Sequence, residues 1–300
     1  MRRPSPFLTI ANFKKIESNV SNRPNILDLR QESIEEKTFC DILNSNDESK
    51  ILELLNSIIS ISPSERLSGF LYHIKNSIDA AEIYGQALSN SESIKLTQTL
   101  MASLICSFPV FSSDCKECIM SSEISLRIDF LLHDFSQKVN SNSLSSDDIN
   151  FLLLVCKLIN VICEQCEYGR DSFLCYDIHG QIIEMLNNIT TAITESAISP
   201  QTEEILCSLS SSIYAILGNK LYNVDNLDQQ LNEEMVTNLI QLALKLIKIS
   251  HNSLRNIAST LNSILINYTN VINVFFQNKV YLAAIQMMEN PELMDISLIL

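Results

Sequence analysis

Hydrophobic side chains recur at steps of three and four residues along most of the chain, and the pattern is densest in residues 147–186. The first half of this stretch places six apolar residues on one helical face: Ile149, Leu152, Val155, Leu158, Ile159 and Ile162. Asp147 and Asp148 precede this face, where carboxylates suit the positive end of a helix dipole. The pattern therefore predicts one long helix.

Two shorter helices are predicted to follow. Gly169 interrupts the long helix, and residues 170–177 are long enough for two helical turns. Gly180 then opens a further apolar face, and Pro200 and Gly218 bracket another long helix. The predicted order is long helix, short helix, medium helix, and then a new long helix.

This order is repeated along the chain. The apolar positions of residues 173–186 match those of residues 119–132, 54 positions earlier, and those of residues 275–288, 102 positions later. A further copy is expected halfway between the two later blocks, and residues 233–244 supply its medium helix. Periods of roughly 40 to 50 residues built from two or three helices are typical of helical solenoids.

The Ile-Asn-hydrophobic step at the end of the long helix, residues 158–161, resembles the third helix of an armadillo repeat, with HEAT repeats as the close relative. The resemblance covers residues 49–300 in five or six degenerate copies. It implies an all-α, right-handed α-solenoid, an α-α superhelix whose third helices line a concave groove. The turn glycine of the family matches at Gly180, whereas Leu126 and Leu282 stand in the matching region of other copies.

Nuclear-import adaptors of this family bind basic peptides with a ladder of tryptophan and asparagine on the third helix. Asn160 matches the ladder asparagine, and Asn267 matches it loosely. Cys156 lies where the tryptophan would be, and the chain contains no tryptophan. The resemblance is therefore closer for the fold than for the residues that recognise a peptide.

Two regions are expected. Residues 1–31 contain three prolines and show no hydrophobic period, so we expect a mostly disordered, basic tail. Residues 32–300 form the repeat domain, whose last repeat is incomplete. The apolar end after Asn290 lacks a polar capping helix, so we expect the chain to be a fragment of a longer array, or its end to fold back or to dock on another chain.

The formal net charge of −14 disfavours nucleic acids and anionic membranes as partners, because both attract Lys/Arg-rich faces. A basic or neutral protein partner fits better. Nine cysteines without a signal peptide indicate reduced thiols in the cytoplasm or nucleus. The longest apolar run is interrupted by Lys157 and Asn160, so no membrane-spanning helix is expected.

Catalytic and metal motifs are sparse. The four histidines share no spacing with carboxylates or cysteines, and no phosphate loop, nucleophile elbow or HExxH motif is present. Cys115 with Cys118 and Cys163 with Cys166 form two CxxC pairs of zinc-ligand spacing, but their separation along the chain exceeds that of zinc ribbons. We therefore expect no enzyme, no cofactor and no metal, with a zinc-dependent protein as a remote alternative.

The leading hypothesis is a non-enzymatic scaffold or adaptor that binds a partner peptide or helix in the concave groove. The alternative is a nuclear-transport adaptor whose basic tail, with Arg2, Arg3, Lys14 and Lys15, competes for its own groove. Self-association through the apolar C-terminal repeat is a further expectation. Polar residues on the third helices are the candidate groove residues: Thr99, Ser103, Asn150, Lys157, Asn160, Glu164, Glu204, Ser208, Ser211, Arg255, Ser259 and Asn262.

Overall fold

The computed structural model describes residues 33–61, 64–141, 143–193, 198–218, 233–267, 272–281, 284, 288 and 293–297. These ranges are almost entirely helical, and no strand occurs within them. The predicted tail, residues 1–31, lies outside the described residues.

Fifteen helices are described. The first eight are α1 (Glu36–Leu43), α2 (Glu48–Ser60), α3 (Ser64–Phe70), α4 (Ile78–Ser89), α5 (Ile94–Ser107), α6 (Ser113–Ser121), α7 (Ile124–Asn140) and α8 (Ser146–Gln165), with a 3-10 turn (Phe108–Val110) after α5. The others are α9 (Glu167–Cys175), α10 (Ile178–Ala192), α11 (Pro200–Leu217), α12 (Glu233–Leu246), α13 (His251–Asn267), α14 (Ile272–Gln277) and α15 (Met294–Ser297). The copy expected between the two later blocks is thus present as α12.

Serine and aspartate side chains begin many of these helices. Each accepts a hydrogen bond from a backbone amide of the first turn, which satisfies a donor that the helix itself cannot pair. At α8 the cap is reciprocal, because Ser145 accepts from the Asp148 amide while the Asp148 carboxylate accepts from the Ser145 amide. The caps are Asp47, Ser77, Ser93, Ser112, Ser145 and Ser199. These local signals explain why helix starts were predictable from the sequence.

The helices form layers that follow from the repeat. Third helices α2, α5, α8, α11 and α13 contact one another in that order, and second helices α1, α4, α7, α10 and α12 do the same. First helices α3, α6, α9 and α14 complete the repeats. One continuous apolar core joins them, and its central residues include Leu158, Leu186 and Leu209, each 0% exposed. Each repeat therefore buries its apolar faces against its neighbours, as in a solenoid.

The turn between first and second helices has a left-handed residue in three repeats. Glu123, Asp177 and Lys279 have φ values of 62°, 53° and 53°. Their spacings, 54 and 102 positions, are those of the matched sequence blocks. The amides of Asp177 and Lys279 donate to carbonyls three residues earlier, at 3.1 Å in both cases. The repeat thus recurs in the backbone as well as in the hydrophobic pattern.

Gly169 and Gly180 do not have the roles that the sequence predicts for them. Gly180 lies in the first turn of α10, where a Cβ would come within 2.5 Å of a carboxylate oxygen of Asp177, so its role is to leave room for that side chain. Gly169 lies inside α9, where a Cβ would approach Ile162 Cγ2 to 2.5 Å. The break between α8 and α9 occurs instead at Cys166, which has extended backbone and whose thiol accepts from the Gly169 amide at 3.4 Å.

We expect Glu123→Gly to raise the free energy of unfolding by about 1 kcal/mol. A non-glycine residue in the left-handed region costs roughly 1–2 kcal/mol, and the greater freedom of glycine in the unfolded chain offsets part of the gain. Asp177→Gly should gain less, because aspartate tolerates this region better. Urea unfolding followed by circular dichroism measures both free energies of unfolding. If Glu123→Gly is less stable than the wild type, the left-handed backbone at residue 123 is not strained.

Candidate functional site

The surface of the third-helix layer carries eleven of the twelve predicted groove residues. Five side chains are exposed: Asn150, Lys157, Glu164, Glu204 and Arg255. Six are half-buried: Thr99, Asn160, Ser208, Ser211, Ser259 and Asn262. They lie on neighbouring helices α5, α8, α11 and α13, so one surface brings them together. We call this set the third-helix surface.

Ser103 does not belong to this surface. It is 0% exposed, and its hydroxyl hydrogen-bonds to the phenol of Tyr84 in α4, whose pKa is raised by burial. The prediction was wrong because a serine that finds a partner inside the protein can replace an apolar core residue. The half-buried residues of α5 are Leu96, Gln98, Thr99, Ala102 and Cys106.

Hydrogen bonds between adjacent third helices fix their register. Asn160 Nδ2 donates to Ser211 Oγ at 3.2 Å, which joins the middle of α8 to the middle of α11. Asn256 Nδ2 donates to Ser210 Oγ at 3.0 Å, which joins α13 to the same stretch of α11. Sequence reasoning missed Asn256, although it lies beside Arg255 and is half-buried on the same helix.

Asn160 has an unused acceptor. Its Oδ1 is buried and finds no hydrogen-bond partner within the described ranges. A buried amide oxygen without a donor costs free energy, so a donor that reaches it would be favourable. Asn160 is therefore the residue of the third-helix surface that has a buried, unpaired acceptor.

Charges on the third-helix surface are balanced, although the whole chain carries −14. Lys157 and Arg255 contribute two cations, and Glu164 and Glu204 contribute two carboxylates. Burial raises the pKa of the Cys106 thiol in α5, and the positive charge of nearby Lys157 opposes this rise. The excess of acidic residues thus lies elsewhere on the molecule.

The residue at the position of the ladder tryptophan is Cys156, and it is part of the core. Cys156 is 1% exposed, and its carbonyl accepts from Ser212 Oγ of α11 at 3.3 Å. Burial raises the pKa of its thiol to about 12. A side chain here faces the neighbouring helix, so the aromatic half of the ladder has no equivalent at this position.

The two CxxC pairs do not converge. The Cys115 thiol donates to the Ser77 carbonyl at 3.4 Å and the Cys118 thiol to the Ile78 carbonyl at 3.6 Å, so both face α4. Cys163 is fully buried and Cys166 caps α9. No group of three or more histidine, cysteine or carboxylate side chains in the described parts of the chain could hold a metal ion. The geometry gives the zinc alternative no support.

Within the described ranges, every helix is too short or too polar to reach across a bilayer.

Comparison with known proteins identifies the fold. No protein-family model matches the chain, and no curated protein matches it. Among solved structures, it is similar to a designed armadillo repeat protein in complex with the peptide (KR)4, with a TM-score of 0.63 and 11% identity over 89% of this chain and 98% of that one. The chain is thus an all-α solenoid of armadillo-type repeats, as the hydrophobic period and the residues around Asn160 predict.

Proposed function

We propose that this protein is a non-enzymatic scaffold that binds an extended peptide or a partner helix along the third-helix surface. The observation that carries the proposal is that polar side chains from four successive helices share one face beside a continuous apolar core. Solenoids of this type use their concave side as an extended binding surface. The similar designed protein was solved with a peptide, which supports the same mode here.

The partner proposed for this surface is neutral or of mixed charge. The two cations of the third-helix surface would repel a purely basic peptide, and its two carboxylates would repel a purely acidic one. A strongly basic peptide such as (KR)4, which the designed protein binds, would meet Lys157 and Arg255. Asn160 would pair with a backbone amide of the peptide through Oδ1. The nuclear-transport alternative has no supporting observation in the described residues.

Replacing Asn160, Glu164 and Glu204 by alanine together should abolish capture of the partner. The three side chains lie on adjacent helices of the third-helix surface, and truncation of a few central contacts removes most of the affinity of an interface. Quantitative affinity purification with the wild type and the triple variant measures the effect.

A matched control places three alanines on α4 and α6, at the exposed residues Glu82, Gln86 and Glu117. This variant should retain the partners of the wild type. Identical partner lists for all three proteins would remove the assignment of the third-helix surface.

The proposed compartment is the cytoplasm or the nucleus. All nine cysteines are free thiols in the structure, and four of them are buried in the core. Thiols persist in reducing compartments, whereas secreted proteins of this cysteine content form disulfides. Circular dichroism with and without a reductant should give equal melting temperatures, and a loss of stability on reduction would contradict the proposal.

We also propose self-association through the C-terminal repeat. Leu293 and Ile296 are buried, and α15 contacts α13, so this part of the end folds back on the solenoid. The two most exposed apolar side chains in the described part of this repeat are Phe276 and Tyr281, with 65% and 50% of their surfaces exposed. Light scattering on the wild type and on Phe276→Ser tests the proposal, since a monomeric wild type at high concentration would refute it.

A further inference from the structure

A second polar site lies in the second-helix layer. Helices α10 and α12 run side by side and enclose a cleft of about 390 Å³ near their first turns. Its polar lining comes from Asp177, His179, Glu184 and Asn187 of the α10 segment and from Glu234 and Asn238 of α12. We call it the α10–α12 cleft. It belongs to the second helices, so it is separate from the third-helix surface.

The α10–α12 cleft offers hydrogen-bond acceptors and negative charge. Asp177, Glu184 and Glu234 supply three carboxylates, and no lysine or arginine is among its described lining residues. The side chain of Asp177 is 73% exposed, and both glutamates are exposed, so a ligand can reach them. Lys245 donates to Asn187 Oδ1 at 3.4 Å on the edge of the cleft.

A buried imidazole adds an acceptor to the cleft. His179 is 3% exposed, and burial lowers its pKa, so the ring is neutral near pH 7. Its Nε2 lies 3.3 Å from Asp177 Oδ1, which favours the proton on that nitrogen. Nδ1 then carries a bare lone pair, and it is buried with no hydrogen-bond partner in the described structure. A buried acceptor without a donor indicates that a donor is missing.

Gly180 leaves room for the Asp177 carboxylate beside the first turn of α10. A Cβ at residue 180 would lie 2.5 Å from Asp177 Oδ1 and 2.6 Å from Oδ2, so only glycine lets this carboxylate fold over the first turn of α10. Asp177 also adopts the left-handed backbone conformation at the helix junction. The carboxylate is therefore positioned by the backbone beside the buried imidazole.

We propose that the α10–α12 cleft binds the guanidinium group of an arginine side chain from a partner protein. Guanidinium is a planar cation with five N–H donors and no acceptor, which complements three carboxylates and a bare imidazole nitrogen. A lysine ammonium offers three donors at one point and would satisfy fewer of these groups. A metal ion fits less well, because the carboxylates and the histidine that line the cleft do not form a group that could hold one.

The test uses the full chain and the dipeptide amide of two arginines as the probe, with affinity measured by calorimetry. Glu184→Gln combined with Glu234→Gln should weaken binding at least tenfold. The matched control, Glu82→Gln combined with Glu117→Gln, removes two exposed carboxylates from α4 and α6 and should change the affinity less than twofold. The corresponding dilysine amide should bind the wild type at least fivefold more weakly than the arginine probe.

Nitrogen NMR of the imidazole separates this site from general charge attraction. The Nδ1 resonance of His179 should shift on addition of the arginine probe and stay unchanged with the dilysine amide. Equal losses in the two glutamine pairs, equal affinities for the two probes, or an unmoved Nδ1 resonance would each overturn the proposal. Replacing Asn160, Glu164 and Glu204 by alanine should leave the affinity for the probe unchanged, so failure here is distinguishable from failure of the third-helix surface.

Discussion

Leu209→Asp should lower the free energy of unfolding by about 4 kcal/mol or more. Leu209 is 0% exposed in α11, which is packed between α8 and α13. Loss of a buried leucine side chain costs roughly 2–5 kcal/mol, and an unpaired carboxylate in its place adds a desolvation cost of several kcal/mol unless it is protonated. Urea unfolding followed by circular dichroism measures the loss.

Ser211→Asp is the matched control on the same helix. Ser211 is half-buried, and its hydroxyl accepts from Asn160 Nδ2, a hydrogen bond that a carboxylate can also accept. The cost should stay under about 1 kcal/mol, as for most substitutions near the surface. If both variants lose the same free energy of unfolding, α11 does not turn Leu209 towards the core and Ser211 towards the surface.

Gly85→Ala should lower the free energy of unfolding by about 2 kcal/mol, although alanine is the better helix former by about 1 kcal/mol. In α4, a Cβ at this position would lie 2.6 Å from Ser122 Cβ and 2.8 Å from the carbonyl oxygen of Ile119. The carbonyl belongs to backbone, so α6 would have to move away from α4, which it contacts closely.

Gly69→Ala provides the opposite case. Gly69 lies in α3, is exposed, and has no atom within 4 Å of the position that a Cβ would take. The substitution should raise the free energy of unfolding by about 0.5 kcal/mol through helix propensity alone. Thermal unfolding of the pair decides the matter, because a stabilised Gly85→Ala protein would show that α4 and α6 do not approach this closely.

Features set by neighbouring residues were predictable from the sequence. The long helix that begins at Asp147 in the prediction occurs as α8, and Pro200 and Gly218 bracket α11 as expected. Capping side chains and hydrophobic periodicity act within one or two turns, so they can be read from a single sequence.

Features set by contacts between helices were not predictable. Gly169 looks like a turn residue, but it lies inside α9, where a Cβ would come within 2.5 Å of Ile162 Cγ2 and 3.2 Å of Met120 Cγ. Ser103 was assigned wrongly and Asn256 was missed, because contacts with other helices decide where their side chains lie. The first pairs with Tyr84 and the second with Ser210, partners 19 and 46 residues away in sequence.

The left-handed junctions bear on how such repeats can be detected. Glutamate, aspartate and lysine occupy equivalent positions at residues 123, 177 and 279, so the packing of the helices dictates this backbone conformation and the residue type does not. The residue type at the junction is then free to change while the turn persists. A search profile written in backbone torsion angles would align these three repeats at one column, where a profile of residue frequencies finds no common letter.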